Sequence, residues 1–414
     1  TRDLGLQVLV NSSARQLGVS NFEFRLLHFF QVFCVPLFSF GKNAPVERVW
    51  RNEVPKLWQS SKLVRLSIYL FACLNMWPLC NYSELLDPSK PMSQLSVFET
   101  GGPGIIDKVH HTKVEGDIES EGENLYEVTA NYFQRSLRIT LDTTGSVIHN
   151  LIQKDEIENT PHSIHRRSEL VISGILIFSF LGLHPHKVVP LVCFDGSSDT
   201  DFLSLCVDIK QVMATSHAHL ESTSLRALFA TSRDLQRYLP STEAAYPIID
   251  RFKEDMERWI IENSYDKVID SKISEEIEVI KDELHLLHFC LYRAARANYP
   301  IPIFRWLLFS ERKFERMVRE KRPMPLKLLY IFSCLNLLCR FSLFRHKNVW
   351  IEFIMWYKEH VFLQHGGWKD KSDELWYNIA VVEQCEVRFN LFEGLASFDP
   401  LNPDMDMFQV SPDF

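Results

Sequence analysis

The sequence predicts an all-α fold, a single large helical domain with one long disordered surface loop, and three observations carry that prediction. Ser168–Leu183 (SELVISGILIFSFLGL) has a single charge, Glu169, near its start and is apolar on every side when wrapped at the helical period. Such a helix belongs at the centre of others. Composition agrees: 46% of residues are hydrophobic and 12% aromatic, with 30 Phe against 15 Gly. Finally, apolar residues recur at helical spacing between caps and prolines almost throughout, and runs with strand alternation are few.

In chain order, residues 1–20 are mixed and read as loosely held. A helix opens at Asn21 as cap, buries Phe22, Phe24, Leu26, Leu27, Phe29, Phe30 and Phe33, and is stopped by Pro36. Val46 to Trp58 and Lys62 to Cys80 follow, the second closed by Pro78. Residues 87–123 contain Pro88, Pro91 and Gly101-Gly102-Pro103-Gly104 and then an acidic run, Glu115 to Glu123, which is the composition of a disordered excursion. Leu125–Leu141 and Val147–Ile157 precede the central helix, which has Ser168 as cap and Gly182 with Pro185 as stop. Gly174 inside it marks a close approach to the backbone.

A short apolar run, Lys187–Phe194, leads to Ser198-Asp199-Thr200-Asp201, a cap with an acidic first turn for a helix to Met213. Further helices are expected over Ser222–Leu239, Thr242–Glu262, Ile273–Asn298, Ile303–Val318, Leu326–Phe344 and Val349–Leu363. The last runs from Ser372 to about Phe392, with Trp376, Ile379, Val382 and Phe389 inward and Gly394 near its end. Residues 401–414 form a tail that alternates acidic and apolar residues. Leu26-Leu27-His28-Phe29 is echoed at Leu286-Leu287-His288-Phe289, and Tyr69–Asn75 at Tyr330–Asn336, at nearly equal offsets that fit either a helical duplication or, the preferred reading, two similar Phe/Leu-rich helices.

Charge and motifs narrow the function. The formal charge of −8 disfavours polyanion binding by this chain. Nine cysteines, mostly inside apolar runs and with no C-x-x-C, read as reduced core thiols of an intracellular protein. No signal peptide is recognised, and the longest charge-free apolar runs fall short of the roughly 18–20 residues of a membrane span. There is no nucleophile elbow, phosphate loop, H-E-x-x-H or dinucleotide fingerprint, so neither an enzyme nor a cofactor is expected. His162/His165, His184/His186 and His217/His219 lack partners at ligand spacing and read as loop histidines, and no metal is expected. His28 and His288 lie on apolar helix faces as core histidines, and Glu275/Glu276 reads as part of a solvated face.

Several stretches taken together resemble the C-terminal regulatory domain of fungal zinc-cluster transcription factors, in the branch of the yeast sterol regulators known as sterol uptake control proteins. They are Phe24–Phe30, similar to that family's "LLHHF" opening; Trp50 with Val54-Pro55-Lys56-Leu57; the Leu66–Leu74 helix; Val189–Val192 followed by Asp201–Leu205; and Pro325–Leu338 with Trp350 and Trp356. The resemblance spans about Asn21 to Pro400 and rests on order and spacing. It implies a helical domain, residues 21–400, with a deep apolar pocket that binds ergosterol or a related sterol. The regulator is then cytoplasmic with sterol bound. Sterol loss sends it to the nucleus to activate sterol synthesis and uptake genes. DNA contact would belong to a zinc-cluster domain absent from this chain, and a homodimer is a further expectation. The pocket is placed among Phe178 and Leu181, Tyr330 and Leu335, and Trp376, Val382, Leu391 and Gly394, with the chain end closing over the ligand. At about −0.3 kcal/mol per heavy atom a sterol reaches roughly −9 kcal/mol. The rival reading is a helical dimerisation or partner-docking module with a filled core and no small ligand.

Overall fold

The computed structural model describes residues 13–87, 89–92, 124–153, 160–185, 189–194, 196, 200–229, 246–263 and 271–410. The all-helical class is observed: 76% of the structure is helical. The strands present among the described residues are Cys385–Val387 and Phe408–Val410. The expected loop over 87–123 lies almost wholly outside the described residues, as do residues 1–12. Of the helix expected over Ser222–Leu239, the described part is a 3₁₀ turn, Ser224–Leu228, with Phe229 extended after it, and 230–239 lie outside. The chain forms two compact units, Thr1–Phe180 with Val212–Phe229, and Leu181–Gln211 with Ala230–Phe414.

In the first unit residues 13–17 are already helical and Ala14 is buried, so the segment before Asn21 is not uniformly loose. Helix α1, Asn21–Ser39, is capped by Ser20 rather than Asn21: Ser20 Oγ accepts from Glu23 N–H at 3.1 Å and Glu23 Oε2 accepts from Ser20 N–H at 3.0 Å. That reciprocal pair is a capping box. The helix continues through Pro36 instead of stopping there. Phe30–Cys34 widens to a π turn, in which Val35 N–H reaches back to Phe30 O, and Pro36 then falls in the first turn of the next α segment, where a missing N–H costs little. The same device recurs at Val49–Glu53 ahead of Pro55. Helix α2 is Lys62–Met76 and α3 is Leu125–Gln153.

Helix α3 is one element where two were expected. Gly145 does not break it because no proline removes a donor, and Thr143 Oγ1 turns inward to Ile139 O at 2.7 Å. The core of this unit is aromatic. Phe38 stacks on Trp50 at 4.1 Å, Phe30 meets Trp50 and Phe71 edge-on, and Trp77 Nε1–H donates to Thr129 Oγ1 at 3.2 Å. Helix α4, Pro161–Leu183, begins well before Ser168, whose hydroxyl donates to Ile164 O as an interior residue. Phe180 stacks on Phe133 at 5.0 Å.

In the second unit Gly182 and Leu183 end α4. Gly182 is a point of close approach: a Cβ there would lie 2.3 Å from the Phe304 ring. Gly182 O also accepts from Trp350 Nε1–H at 2.9 Å. Helix α5, Phe202–Leu220, is capped by buried Asp201, whose carboxylate accepts from Ser204 N–H and Cys193 N–H, both at 2.9 Å, and pairs with Arg319. Helices α6, Pro247–Asn263, and α7, Ser271–Ala297, follow. The single helix expected over Ile303–Val318 is broken into Ile301–Phe304, Arg305–Leu308 and Arg312–Arg319, because a buried carboxylate of α7, Glu283, captures Glu311 N–H at 2.8 Å. Helix α8, Pro323–Leu338, ends at Cys339 with Arg340 left-handed (φ 64°), six residues short of Phe344. Helix α9, Val349–His365, stops at Gly366 (φ 74°).

The last helix is shorter than expected. Helix α10, Lys371–Tyr377, passes into a π turn, Asn378–Val382, and then Gln384 (φ 52°) turns the chain into β1, Cys385–Val387. Arg345 fixes that turn by donating to Ala380 O and Cys385 O at 3.1 and 3.0 Å. β1 pairs antiparallel with β2, Phe408–Val410, so part of the 401–414 tail is pinned in the fold. Val382 and Phe389, expected inward, are therefore exposed.

Candidate functional site

The most concentrated chemistry among the described residues surrounds Lys327, the one charge in the otherwise apolar α8. A lysine in the middle of a buried helix needs opposite charge nearby, since an unpaired ammonium in the interior is prohibitive. Three aspartates supply it. Lys327 Nζ lies 2.7 Å from Asp255 Oδ2 on α6, 2.7 Å from Asp370 Oδ2 just before α10, and 2.9 Å from Asp373 Oδ1 within α10. Lys327 is 3% exposed and Asp373 2%. Hydrogen bonds complete the cluster: Ser372 Oγ–H donates to Asp255, Tyr357 O–H of α9 donates to Asp373 Oδ2 at 3.0 Å, and Tyr330 O–H donates to Asp373 O at 2.6 Å. Arg258 closes the outside by pairing with Asp255 and Asp370.

The electrostatics follow from this geometry. Burial works to lower the Lys327 ammonium, but Asp373, Asp255 and Asp370 outweigh it and hold it above the ordinary lysine value. Burial likewise works against the Asp370 carboxylate, and Lys327 nevertheless carries it below the usual range. At Asp373 burial wins and its carboxyl is raised. A lysine kept protonated has no lone pair for attack. The three aspartates have the spacing of a cation site, and the Lys327 ammonium stands among them. The arrangement ties α6, α8, α9 and α10 together.

The cluster floors a cleft of about 70 Å³ lined by Trp259, Met324, Val361, His360, Gln364 and Lys321, among others. A water occupies about 30 Å³ of liquid and drug-sized ligands need roughly 300 Å³ or more, so this cleft is of water or small-ion size. Lys321 lies over the Phe194 and Trp356 rings at 5.4 and 6.0 Å, and these two rings stack at 3.9 Å.

The residues assigned to an apolar pocket fall in both units. Phe178 is buried in the first. In the second, Leu181 and Leu335 are fully buried, and Tyr330 is buried against the Tyr357 ring at 4.3 Å. Trp376 is buried edge-on to Phe398 at 5.3 Å. Tyr330, Asp373 and Tyr357 are joined by hydrogen bonds, so Tyr330 belongs to the Lys327 cluster. Three placements differ from expectation because the last helix ends early. Val382 is 60% exposed, Leu391 is half-buried in a turn, and Gly394 sits in the 3₁₀ turn Phe392–Ala396, where a Cβ would lie 3.3 Å from the Met407 methyl.

The histidines and thiols take structural places. His184 is fully buried, with Nδ1 2.7 Å from Leu181 O and Nε2 accepting from Val189 N–H. His165 pairs with Glu169 at 3.2 Å, His217 meets Phe229 edge-on, and burial lowers His219. His162 is exposed, and His186 lies outside the described residues. His28 is exposed rather than core, because its side of α1 faces outward. Burial lowers His288 to about 4, beside Tyr246. All nine cysteines are free and all but Cys193 are buried. Glu276, read as solvated, is 4% exposed and accepts from Met324 N–H at 3.3 Å at the start of α8.

One helix among the described residues, Asn21–Ser39, is long and apolar enough to cross a membrane, and 50% of its most apolar stretch is buried inside the structure, so the described residues include no clear membrane span. None of the family models, curated proteins or solved structures compared with this chain matches it.

Proposed function

We propose that this chain is a non-enzymatic regulatory domain of a transcription activator of the zinc-cluster type, with a sterol such as ergosterol as its effector. The observation that carries the proposal is the ordered set of motifs from Phe24–Phe30 through Trp356, laid on an all-helical scaffold. The chemistry is compatible: Lys327 is protonated and enclosed, and burial raises thiols such as Cys80, Cys73 and Cys290. In this reading the sterol-bound protein stays in the cytoplasm, sterol depletion sends it to the nucleus, and a separate zinc cluster contacts DNA.

A second reading, a dimerisation or partner-docking module without a small ligand, is favoured by a specific observation. Tyr330, Leu335 and Trp376 are packed against protein, and the cleft beside Tyr357 is only about 70 Å³. A thermal-shift series of the purified chain against ergosterol separates the two. A binder gains about 2.7 kcal/mol at one hundred times its Kd, and a filled scaffold gains nothing. An unchanged midpoint at saturating sterol, together with no sterol in the lipid extract of the purified protein, rejects the sterol reading.

A further inference from the structure

Glu283 lies mid-way along α7, away from the Lys327 cluster, with its side chain fully buried. Its carboxylate reaches the break Phe309–Glu311 between Arg305–Leu308 and Arg312–Arg319. Oε1 accepts from Glu311 N–H at 2.8 Å, and Oε2 accepts from Ser310 Oγ–H at 2.9 Å. Trp306 Nε1–H donates to the Glu283 main-chain carbonyl at 3.1 Å. Lys210 of α5 holds the same break from the other side, its ammonium donating to Phe309 O, Ser310 O and Glu311 Oε1 at 2.7, 3.0 and 2.7 Å. All these groups belong to one unit.

Ser310 decides what this knot can do. Its hydroxyl donates to Glu283 and also lies 3.5 Å from Trp306 O. A hydroxyl is both donor and acceptor and rotates freely between those roles. If Glu283 takes up a proton on Oε2, that O–H can donate to Ser310 Oγ, while the Ser310 hydrogen turns to Trp306 O. Oε1 keeps the Glu311 N–H. The proton is thus received without leaving any of these polar atoms unpaired, which is the condition for a neutral buried carboxyl to be stable.

The charges around Glu283 are Lys210 and Glu311, which oppose each other, with the Asp208–Arg312 pair at 3.3 Å further out. Of the other elements packed on α7, the 305–308 turn brings Arg305, set beside Tyr299 and Cys290, and α8 brings Lys327, held by its aspartates. Arg312–Arg319 brings Arg316, paired with Glu275, α6 brings Lys253 and Asp250 near His288, and the Phe392–Ala396 turn, bonded to Asn298, brings Glu393. Burial pushes the Glu283 carboxyl up to about 7, against the hydrogen bonds from Glu311 and Ser310 and the charge of Lys210.

We propose that Glu283, with Ser310 as its two-way hydrogen-bond partner, is a proton-linked clasp: it keeps the 309–311 break fully paired in either form, and its complete burial makes the folded chain favour the neutral one. The sign is set by linkage. A glutamate whose folded value lies above its unfolded one binds more protons when folded, so stability falls as pH rises from about 4.5 to the folded value and is flat beyond it.

The test is urea unfolding of the full chain from pH 5 to 8.5, wild type beside Glu283→Gln, an uncharged isostere. The ratio of the two unfolding constants is expected to change with pH, by up to about tenfold per unit between 5 and 7, and to level off above. A ratio independent of pH overturns the proposal. A second measurement needs no variant: the carboxyl carbons of glutamate-labelled wild type, followed by NMR, should include one titrating near neutrality that is lost or strongly displaced in Ser310→Ala. If every glutamate titrates in the ordinary carboxylate range, the clasp does not exist.

Discussion

Replacing Lys327 by Met tests whether the buried cluster holds the second unit together. Methionine matches the length and apolar stem of lysine, so cavity formation is small and the change is chiefly the loss of one ammonium. In the wild type two cations, Lys327 and Arg258, face the three carboxylates of Asp255, Asp370 and Asp373. In Lys327→Met only Arg258 remains, 59% exposed on its side chain, and Asp373, 2% exposed, loses its cation altogether. Removing one partner of a buried ion pair costs about 3–5 kcal/mol, because the remaining charge is stranded in the interior. For a chain of 414 residues each kcal/mol is about 1 °C, so the midpoint should fall by roughly 3–6 °C at pH 7. The deficit has a definite pH dependence. Without Lys327 the stranded carboxyls take up protons more readily, so the loss should shrink as pH drops from 7 toward 5, and Lys327→Met/Asp373→Asn should recover part of it. Circular dichroism melts of the three proteins across that range provide the measurement. A Lys327→Met midpoint within about 2 °C of wild type at pH 7, or a deficit that does not shrink on acidification, refutes the argument.

Three other substitutions probe the packing. Gly182→Ala should destabilise by about 1–3 kcal/mol, because the added methyl overlaps the Phe304 ring at 2.3 Å; a neutral result in urea unfolding would mean that the ring moves freely. Asp201→Ala should cost about 1–2 kcal/mol through loss of the α5 cap, more if Arg319 is left without its buried partner, and the amides of Ser204 and Cys193 should lose exchange protection first. His288 is lowered by burial, so its contribution is present above the ordinary histidine value and is lost as pH falls through about 4. His288→Gln should therefore flatten the acid limb of the stability profile, as read from melts between pH 7 and 4.

Much of the helical order is legible in the sequence, because caps, prolines and periodicity are local signals. The acidic Ser198–Asp201 start of α5 is where its cap, Asp201, is found. The misses have common causes. Pro36 looks like a stop, and the π turn ahead of it absorbs the lost donor; a like turn carries the Val46–Trp58 segment through Pro55 as expected. Glu276 looks like a solvent-facing glutamate, but it caps a helix that begins tens of residues later, as Glu283 also does. The Lys327 cluster had one visible trace, a lone lysine inside Pro325–Leu338, and no signal along the chain marks Asp255, Asp370 and Asp373 as its partners.

The sequence by itself determined that the chain is helical and where most helices begin, since burial of apolar residues at the helical period and satisfaction of the first free N–H groups are properties of neighbouring residues. Tertiary structure alone decided which glycine admits a ring, where the last helix yields to a strand, and which charges end up buried. Each of these depends on groups far apart in the chain: Gly182 with Phe304, Ala380 with Arg345, Cys385 with Val410, and Lys327 with its aspartates. A buried charge or an added methyl is costly or harmless according to what stands opposite it, and that is fixed only once the chain has folded.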